Sequence, residues 1–176
     1  PFRIRPFEPG DREAVRTLCA ATAWMGRPAP ERIGDAWIWA EFWTRYFTDR
    51  EPQHTWVVER TSNSTLVGYL TGTADARRAD RFVLRLFPGI VWRVIRRPLL
   101  RDGVARPALL GLLRSALRRE LDVPRDIQHR FPATLHIDLL PEARGQGLAS
   151  QLLARYLDAM RRLRIPGVHA QSLADN

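Results

Sequence analysis

The stretch that most constrains this chain is Leu135 to Ser150. The apolar run that ends it on the N-terminal side, Leu135-His136-Ile137-Asp138-Leu139-Leu140, stops at Pro141. A loop bearing Gly145 and Gly147 follows, and a helical pattern begins at once, with Leu148, Leu152, Leu153, Tyr156, Leu157, Met160 and Leu163 on one face. A helix N-terminus presents unpaired N–H groups and about half a positive charge. Gly145 and Gly147 let the backbone approach a bulky anion with no Cβ between them. Strand, glycine loop and helix together read as a cradle for a diphosphate. The bland reading is an ordinary strand–turn–helix. A dinucleotide fold would want Gly-x-Gly-x-x-Gly and a P-loop Gly-Lys-Ser/Thr, and neither is present.

The rest of the chain supplies the frame. Phe2 to Phe7 alternates as a short strand, Pro9-Gly10-Asp11 stops it, and Asp11 is a suitable helix cap. Ala14, Val15, Leu18, Cys19 and Thr22 recur at helical spacing. Gly26 to Pro30 is a loop, and Asp35 to Phe47 is a helix dense in aromatics. His54 to Arg60 and Thr65 to Ala74 are strands joined by the polar turn Thr61 to Ser64. Residues 77–122 read as helical in two pieces, separated by Pro98 to Pro107. Phe131 to Leu140 is a strand, Leu148 to Leu163 a helix, and Val168 to Leu173 a last strand. The expected fold class is therefore α/β (α+β): one domain over 1–176, a mixed central sheet flanked by helices, and a helical insert at 77–130 between the third and fourth strands.

Bulk properties narrow the setting. A length of 176 residues allows one substantial core, and 45% hydrophobic with 27% charged residues is an ordinary globular balance. The lone Cys19 leaves no disulfide within the chain, which fits a reducing cytoplasm. The N-terminus lacks a signal-peptide h-region, and the longest apolar run, Phe82 to Leu100, is broken by four arginines and two prolines. No membrane association is expected. The formal net charge is +9, and every basic residue counted there is Arg. Residues 76–130 hold 14 Arg against 5 acids, while the remainder is balanced, so the whole excess sits in the insert. The insert reads as a solvated helical face, as a patch that attracts acidic substrates, or as a surface for nucleic acid or anionic membrane. No nucleic-acid motif accompanies it, and nucleic acid is not an expected partner.

The glycine loop resembles the pyrophosphate loop of the GNAT (Gcn5-related N-acetyltransferase) superfamily, Arg/Gln-x-x-Gly-x-Gly/Ala preceded by an apolar residue, x and Pro. The matching residues are Leu139-Leu140-Pro141 and Arg144-Gly145-Gln146-Gly147-Leu148-Ala149. Three further blocks look like the acetyltransferase-like domain of O-GlcNAcase and its stand-alone bacterial relatives: Ile4-Arg5-Pro6-Phe7, Gly68-Tyr69-Leu70-Thr71, and Phe131-Pro132-Ala133-Thr134-Leu135-His136-Ile137-Asp138-Leu139-Leu140-Pro141. The long insert before the Phe-Pro strand is shared with that group. The resemblance implies an acetyl-CoA cofactor held by Ile137, Leu139, Leu140, Arg144, Gly145, Gln146, Gly147, Leu148, Ala149 and Ser150, with Asn176 where the family often has an Asn beside the pantetheine arm. It implies acetyl transfer to a primary amine by direct attack in a ternary complex, or else a non-catalytic domain that binds acetyl-CoA or a protein, or an Arg-rich interaction module with a vestigial site. The acceptor class stays open among protein lysine, amino sugar, polyamine and drug-like amine, as does a homodimer. The fold normally continues with a helix and a strand pair after the fifth strand, and this chain stops at Asn176. No tyrosine is therefore assigned to protonate the departing thiolate.

Such a transfer needs a group to take the amine's proton and a backbone N–H to polarise the thioester carbonyl. The strand before the loop would supply that N–H, from Ile137 or Leu139. His136 and Asp138 are two apart, so they share a face, and a carboxylate in an apolar strand is costly unless paired. Both are candidate proton acceptors, with structural satisfaction of a buried polar group as the alternative. His169, on the neighbouring strand, is a weaker candidate. Cys19 falls on an apolar helical face and reads as a small buried hydrophobe rather than an acyl carrier. The aromatic helix, with Trp37, Trp39, Phe42, Trp43, Tyr46 and Phe47, stands where the family walls the acceptor site, and reads chiefly as core.

Overall fold

In the computed structural model, residues 1–22, 36–96 and 123–171 are described. Five strands form one mixed sheet in sequential order: β1 (Phe2–Pro6), β2 (Trp56–Arg60), β3 (Leu66–Thr73), β4 (Ala133–Leu139) and β5 (Val168–His169). The first three junctions are antiparallel and β4–β5 is parallel. Helices α1 (Arg12–Thr22) and α2 (Ala36–Arg50) lie between β1 and β2, α3 (Ala76–Arg96) and α4 (Arg125–Arg130) between β3 and β4, and α5 (Leu148–Arg162) between β4 and β5. The first piece of the expected helical insert is α3, its second piece falls in 97–122, outside the described residues, and α4 is a further short helix before β4. The expected loop at Gly26 to Pro30 also falls outside the described residues. The last strand is shorter than expected: it ends at His169, Ala170 and Gln171 are described and lie outside it, and Leu173 is beyond the described residues. No helix among the described residues is long and apolar enough to cross a membrane.

The strands alternate because each has two partners. On one face of the sheet, Leu148, Leu152, Tyr156 and Met160 of α5 pack against Val58, Val67, Leu70, Ala133, Leu135, Ile137 and Leu139. The spacing 148, 152, 156, 160 is one stripe of an α-helix. Burying side chains of this size stabilises by about 1.5–3 kcal/mol each. Tyr156 is fully buried. Its ring lies over Gly72, where an added Cβ would stand 2.3 Å from Tyr156 Cε2. Its hydroxyl donates to the carbonyls of Thr73 and Thr134, both at 2.8 Å. On the other face Phe7, Val15, Leu18, Cys19, Ala40, Val57, Leu66 and Tyr69 form a second core, with Trp43 against it. The aromatic helix is core at Tyr46 and Phe47, 6% and 8% exposed.

Asp11 does not cap α1 in the expected way. A 3-10 turn, Pro9–Asp11, precedes the helix, and the Asp11 carboxylate reaches backwards. It accepts from the Glu8 N–H at 2.8 Å and from both Arg5 guanidinium nitrogens at 2.7 and 2.8 Å. Arg5 Nε also donates to Glu59 at 2.7 Å, and Arg3 to Glu59 at 3.0 Å. This network ties β1, β2 and the start of α1. Burial alone would raise the Asp11 pKa, but the Arg5 hydrogen bonds and the Glu8 amide outweigh it and lower it. The Arg5 hydrogen bond is the largest cause lowering that of Glu59.

Candidate active site

The loop after β4 is shaped by two left-handed residues. Gly145 has φ of +72° and Gly147 of +71°, and nothing lies within 4 Å of a Cβ added at either. In the protein alone, glycine is required here by backbone conformation rather than by room. Pro141–Ala143 forms a 3-10 turn, with Ala143 buried as its pin. Gly147 is the N-cap of α5, with no side chain bonded to the first amides and no acid in the first turn. The N-terminal donors of α5 therefore face solvent beside exposed Arg144, Gly145, Gln146, Ala149 and Ser150. Leu148 differs from its neighbours. Its side chain is 7% exposed and belongs to the core, so only its amide is available to a ligand. Arg144 Nε donates to the Leu139 carbonyl at 2.9 Å and Gln146 Nε2 to the Glu142 carbonyl at 2.8 Å, which closes the loop on itself.

The backbone of β4 points donors at the cleft. Leu140 N–H donates to Val67 O on the β3 side at 2.8 Å, and Ala133 N–H donates to Gly167 O on the β5 side at 3.2 Å. Direction alternates along a strand, so the N–H groups of Leu135, Ile137 and Leu139 face the β5 side. The described part of β5 pairs only with Ala133 and Thr134. Beyond Thr134 the edge of β4 is therefore open to another hydrogen-bonding chain, among the described residues. These features fit a long amide-bearing arm ending in a diphosphate. Ile137 and Leu139 would hold the arm, and the amides from Arg144 to Ala149 its phosphates.

On the face towards α1 and α2, His136 and Asp138 stand together. His136 Nε2 is 3.0 Å from Asp138 Oδ2. Tyr69, directly opposite Asp138 in the β3–β4 register, donates its hydroxyl to the same oxygen at 2.6 Å. Trp43 stacks on the His136 ring, with centroids 5.7 Å apart and planes at 17°. Burial opposes a charge on His136, but hydrogen bonds to Asp138 and Cys19 outweigh it and raise its pKa to about 10. Burial would raise the Asp138 pKa, yet its bonds to His136 and Tyr69 bring it below the usual carboxylate range. Burial, with the neighbouring Cys19 and Asp138, raises Tyr69 well above its ordinary value. Side-chain exposure is 32% for His136 and 16% for Asp138, so the pair is not sealed from solvent.

His169 does not join them. Its Nδ1–H donates to the Phe131 carbonyl at 2.6 Å, a structural tie. Asn176 lies outside the described residues. The sequence does not mark Tyr69 as a site residue, and it reads Trp43 chiefly as core. Tyr69 becomes visible only when β3 and β4 are paired in register. Cys19 is 1% exposed within the second core, as its helical position implied, and its sulfur also lies within 4.8 Å of the ligand atoms of His136 and Asp138.

Residues 19–176 match the model of the Acetyltransferase (GNAT) family. The chain belongs to that family. It is an acyltransferase by that membership, and its five-stranded mixed sheet with flanking helices is the GNAT fold. A solved structure described as SsHAT is 27% identical over 96% of this chain and 81% of its own, with a TM-score of 0.71. A Drosophila melanogaster polyamine N-acetyltransferase, which catalyses formation of N-acetylagmatine, is 19% identical over 99% of this chain and 78% of its own, with a TM-score of 0.53. An agmatine N-acetyltransferase in apo form is 19% identical over 96% and 74%, with a TM-score of 0.50. The last two share the fold.

Proposed function

We propose that this GNAT chain, acting as one unit over residues 1–176, moves an acetyl group from acetyl-CoA to a primary amine by direct attack in a ternary complex. The observation that carries the reading is the placement of His136 and Asp138 one strand position either side of Ile137, whose N–H faces the open edge of β4. Bound acetyl-CoA supplies the activated acyl thioester. The α5 amides and the two left-handed glycines bind the diphosphate, where the helix dipole favours negative charge. The Ile137 or Leu139 N–H polarises the acyl carbonyl. Asp138, the ionised member of the pair, receives the proton that the amine gives up, and His136, Tyr69 and Trp43 hold it in place. The three sequence blocks and the likeness to SsHAT support kinship with the stand-alone bacterial relatives of the O-GlcNAcase acetyltransferase-like domain.

Arg78, Arg81 and Arg85 of the Arg-rich segment enter this reading as a distant field. Arg50, Arg78, Arg81 and Arg85 line a cleft of about 660 Å³ near Ala74. Ala74 lies five residues along the chain from Tyr69, roughly 17 Å at about 3.4 Å per residue. A small amine held at Asp138 does not span that distance, so these arginines act by steering and not by contact.

A CoA-release assay against polyamines, agmatine, lysine peptides and amino sugars tests the proposal. Turnover on at least one primary amine, with the acetylated amine identified by mass, is expected. Tight acetyl-CoA binding with no turnover on any of the panel would replace the catalytic reading with a binding one.

A further inference from the structure

One group beside the His136–Asp138 pair has no place in acetyl transfer. Cys19, on α1, brings its thiol to them: Sγ of Cys19, a ring nitrogen of His136 and a carboxylate oxygen of Asp138 all lie within 4.8 Å of one another. Thiolate, imidazole and carboxylate are the three donor types that zinc takes, and the sulfur disfavours magnesium and calcium, which want oxygen alone. Bonds of about 2.0–2.3 Å around a tetrahedral ion set donor–donor distances of about 3.3–3.6 Å. On binding, the 3.0 Å separation of His136 Nε2 and Asp138 Oδ2 opens by a few tenths of an ångström, the Cys19 thiol, within 4.8 Å, closes on them, and the cation displaces the proton that His136 holds. The surrounding groups already act as an outer shell. The Tyr69 hydroxyl fixes the carboxylate at 2.6 Å and the Trp43 ring fixes the imidazole plane. Cys19 closes the inner side at 1% exposure, while His136 and Asp138 are not sealed from solvent. A nucleophilic thiol would need that exposure for itself; a ligand thiol does not.

We propose that Cys19, His136 and Asp138 form a binding site for a zinc-class divalent cation, with three protein ligands and a fourth position open to the cleft. Resting on the acetyl-transfer reading, one consequence follows for regulation. The cation occupies Asp138, which takes the amine's proton, and the His136 that holds it, so its binding switches transfer off.

The test uses untagged, metal-stripped protein without acetyl-CoA. Zinc is titrated in competition with a chromogenic chelator, and cobalt(II) replaces zinc in a parallel titration. One equivalent should bind, and cobalt should develop a thiolate charge-transfer band. Cys19→Ser, checked for folding by its melt, should lose the band and bind zinc at least about tenfold more weakly. The cobalt band on the parent protein needs no variant, so a misfolded Cys19→Ser leaves the test standing. Absence of a stoichiometric site, cobalt binding without the band, or parent affinity in a folded Cys19→Ser would each overturn the site. In the activity arm, zinc should inhibit the parent in step with occupancy and leave Cys19→Ser turning over at the same concentration. Full turnover in the zinc-loaded parent would overturn the switch. A chain inactive even in chelator fails the acetyl-transfer reading, while the titrations still decide the site.

Discussion

The two faces of β4 are built to opposite rules. Ala133, Leu135, Ile137 and Leu139 look towards α5 and are apolar, packed on a stripe that includes fully buried Leu152 and Tyr156. His136 and Asp138 look towards α1 and α2, and each is held by named polar or aromatic partners. The first face gains by excluding water. The second loses by it unless every polar atom is matched, because an unsatisfied buried group costs about 1–3 kcal/mol. Seven residues serve both needs because a strand changes sides at each step. The α5 face fixes where the glycine loop stands; on the acetyl-transfer proposal, the α1/α2 face acts at the acyl group.

If that division holds, substitutions on the two faces should fail differently. The largest effect is expected at the loop that the α5 face positions. Gly147→Asp should take acetyl-CoA binding below detection by calorimetry, through strain at φ +71° and a like charge beside the phosphates. Unchanged affinity in a folded variant would remove the diphosphate assignment. Next comes a crossed pair. Asp138→Asn should lower turnover about 10²–10⁴-fold while acetyl-CoA affinity stays near the parent's. Leu152→Ala should cost about 2–5 kcal/mol in a denaturant melt while its folded fraction keeps the parent's kcat. If Asp138→Asn destabilises without slowing turnover, the polar face is structural and the comparison collapses.

A smaller effect should appear in acid. Asp11 and Glu59 titrate below their ordinary values in the folded chain, so their contribution is full above the usual carboxylate range and is lost as pH falls through it. The melting temperature should drop on acidification below about pH 4, where unfolded carboxylates begin to protonate. Glu59→Gln should flatten that slope. The smallest effect belongs to the distant arginines. Arg81→Glu with Arg85→Glu should raise the KM of an acidic acceptor only a few-fold. The rise should vanish at high salt, where the Debye length falls from about 10 Å at 0.1 M to about 3 Å at 1 M. A rise that survives 1 M salt would mean direct contact. Arg93, Arg96 and Arg97, which share the excess charge, have side chains outside the described residues.

Much of this was readable before folding, and the limits have physical causes. The strand–glycine–helix order was legible because each part is local: alternation, a turn residue and a 3.6-residue stripe all lie within thirty residues of one another. That His136 and Asp138 share a face follows from strand geometry alone. What they touch does not. Tyr69 meets Asp138 through a register of two strands 69 residues apart in sequence, and register depends on the whole sheet. For Cys19, periodicity correctly predicted burial but was silent on its neighbour, because burial reports loss of water and not the identity of what replaces it. Asp11 misled for a related reason. Its type and position suit a helix cap, but the Arg5 guanidinium outcompeted the helix amides for its oxygens.

The short pairing of β4 with β5 has a consequence beyond the chemistry. A strand whose backbone groups face an unfilled slot is a template for any extended chain, and such edges drive mispairing between copies of a protein. Here the slot faces the cleft, from Leu135 to Leu139, and the acyl donor's amide arm is itself an extended chain of donors and acceptors. On the acetyl-transfer proposal, that arm takes the place of a neighbour strand beside the described part of this edge.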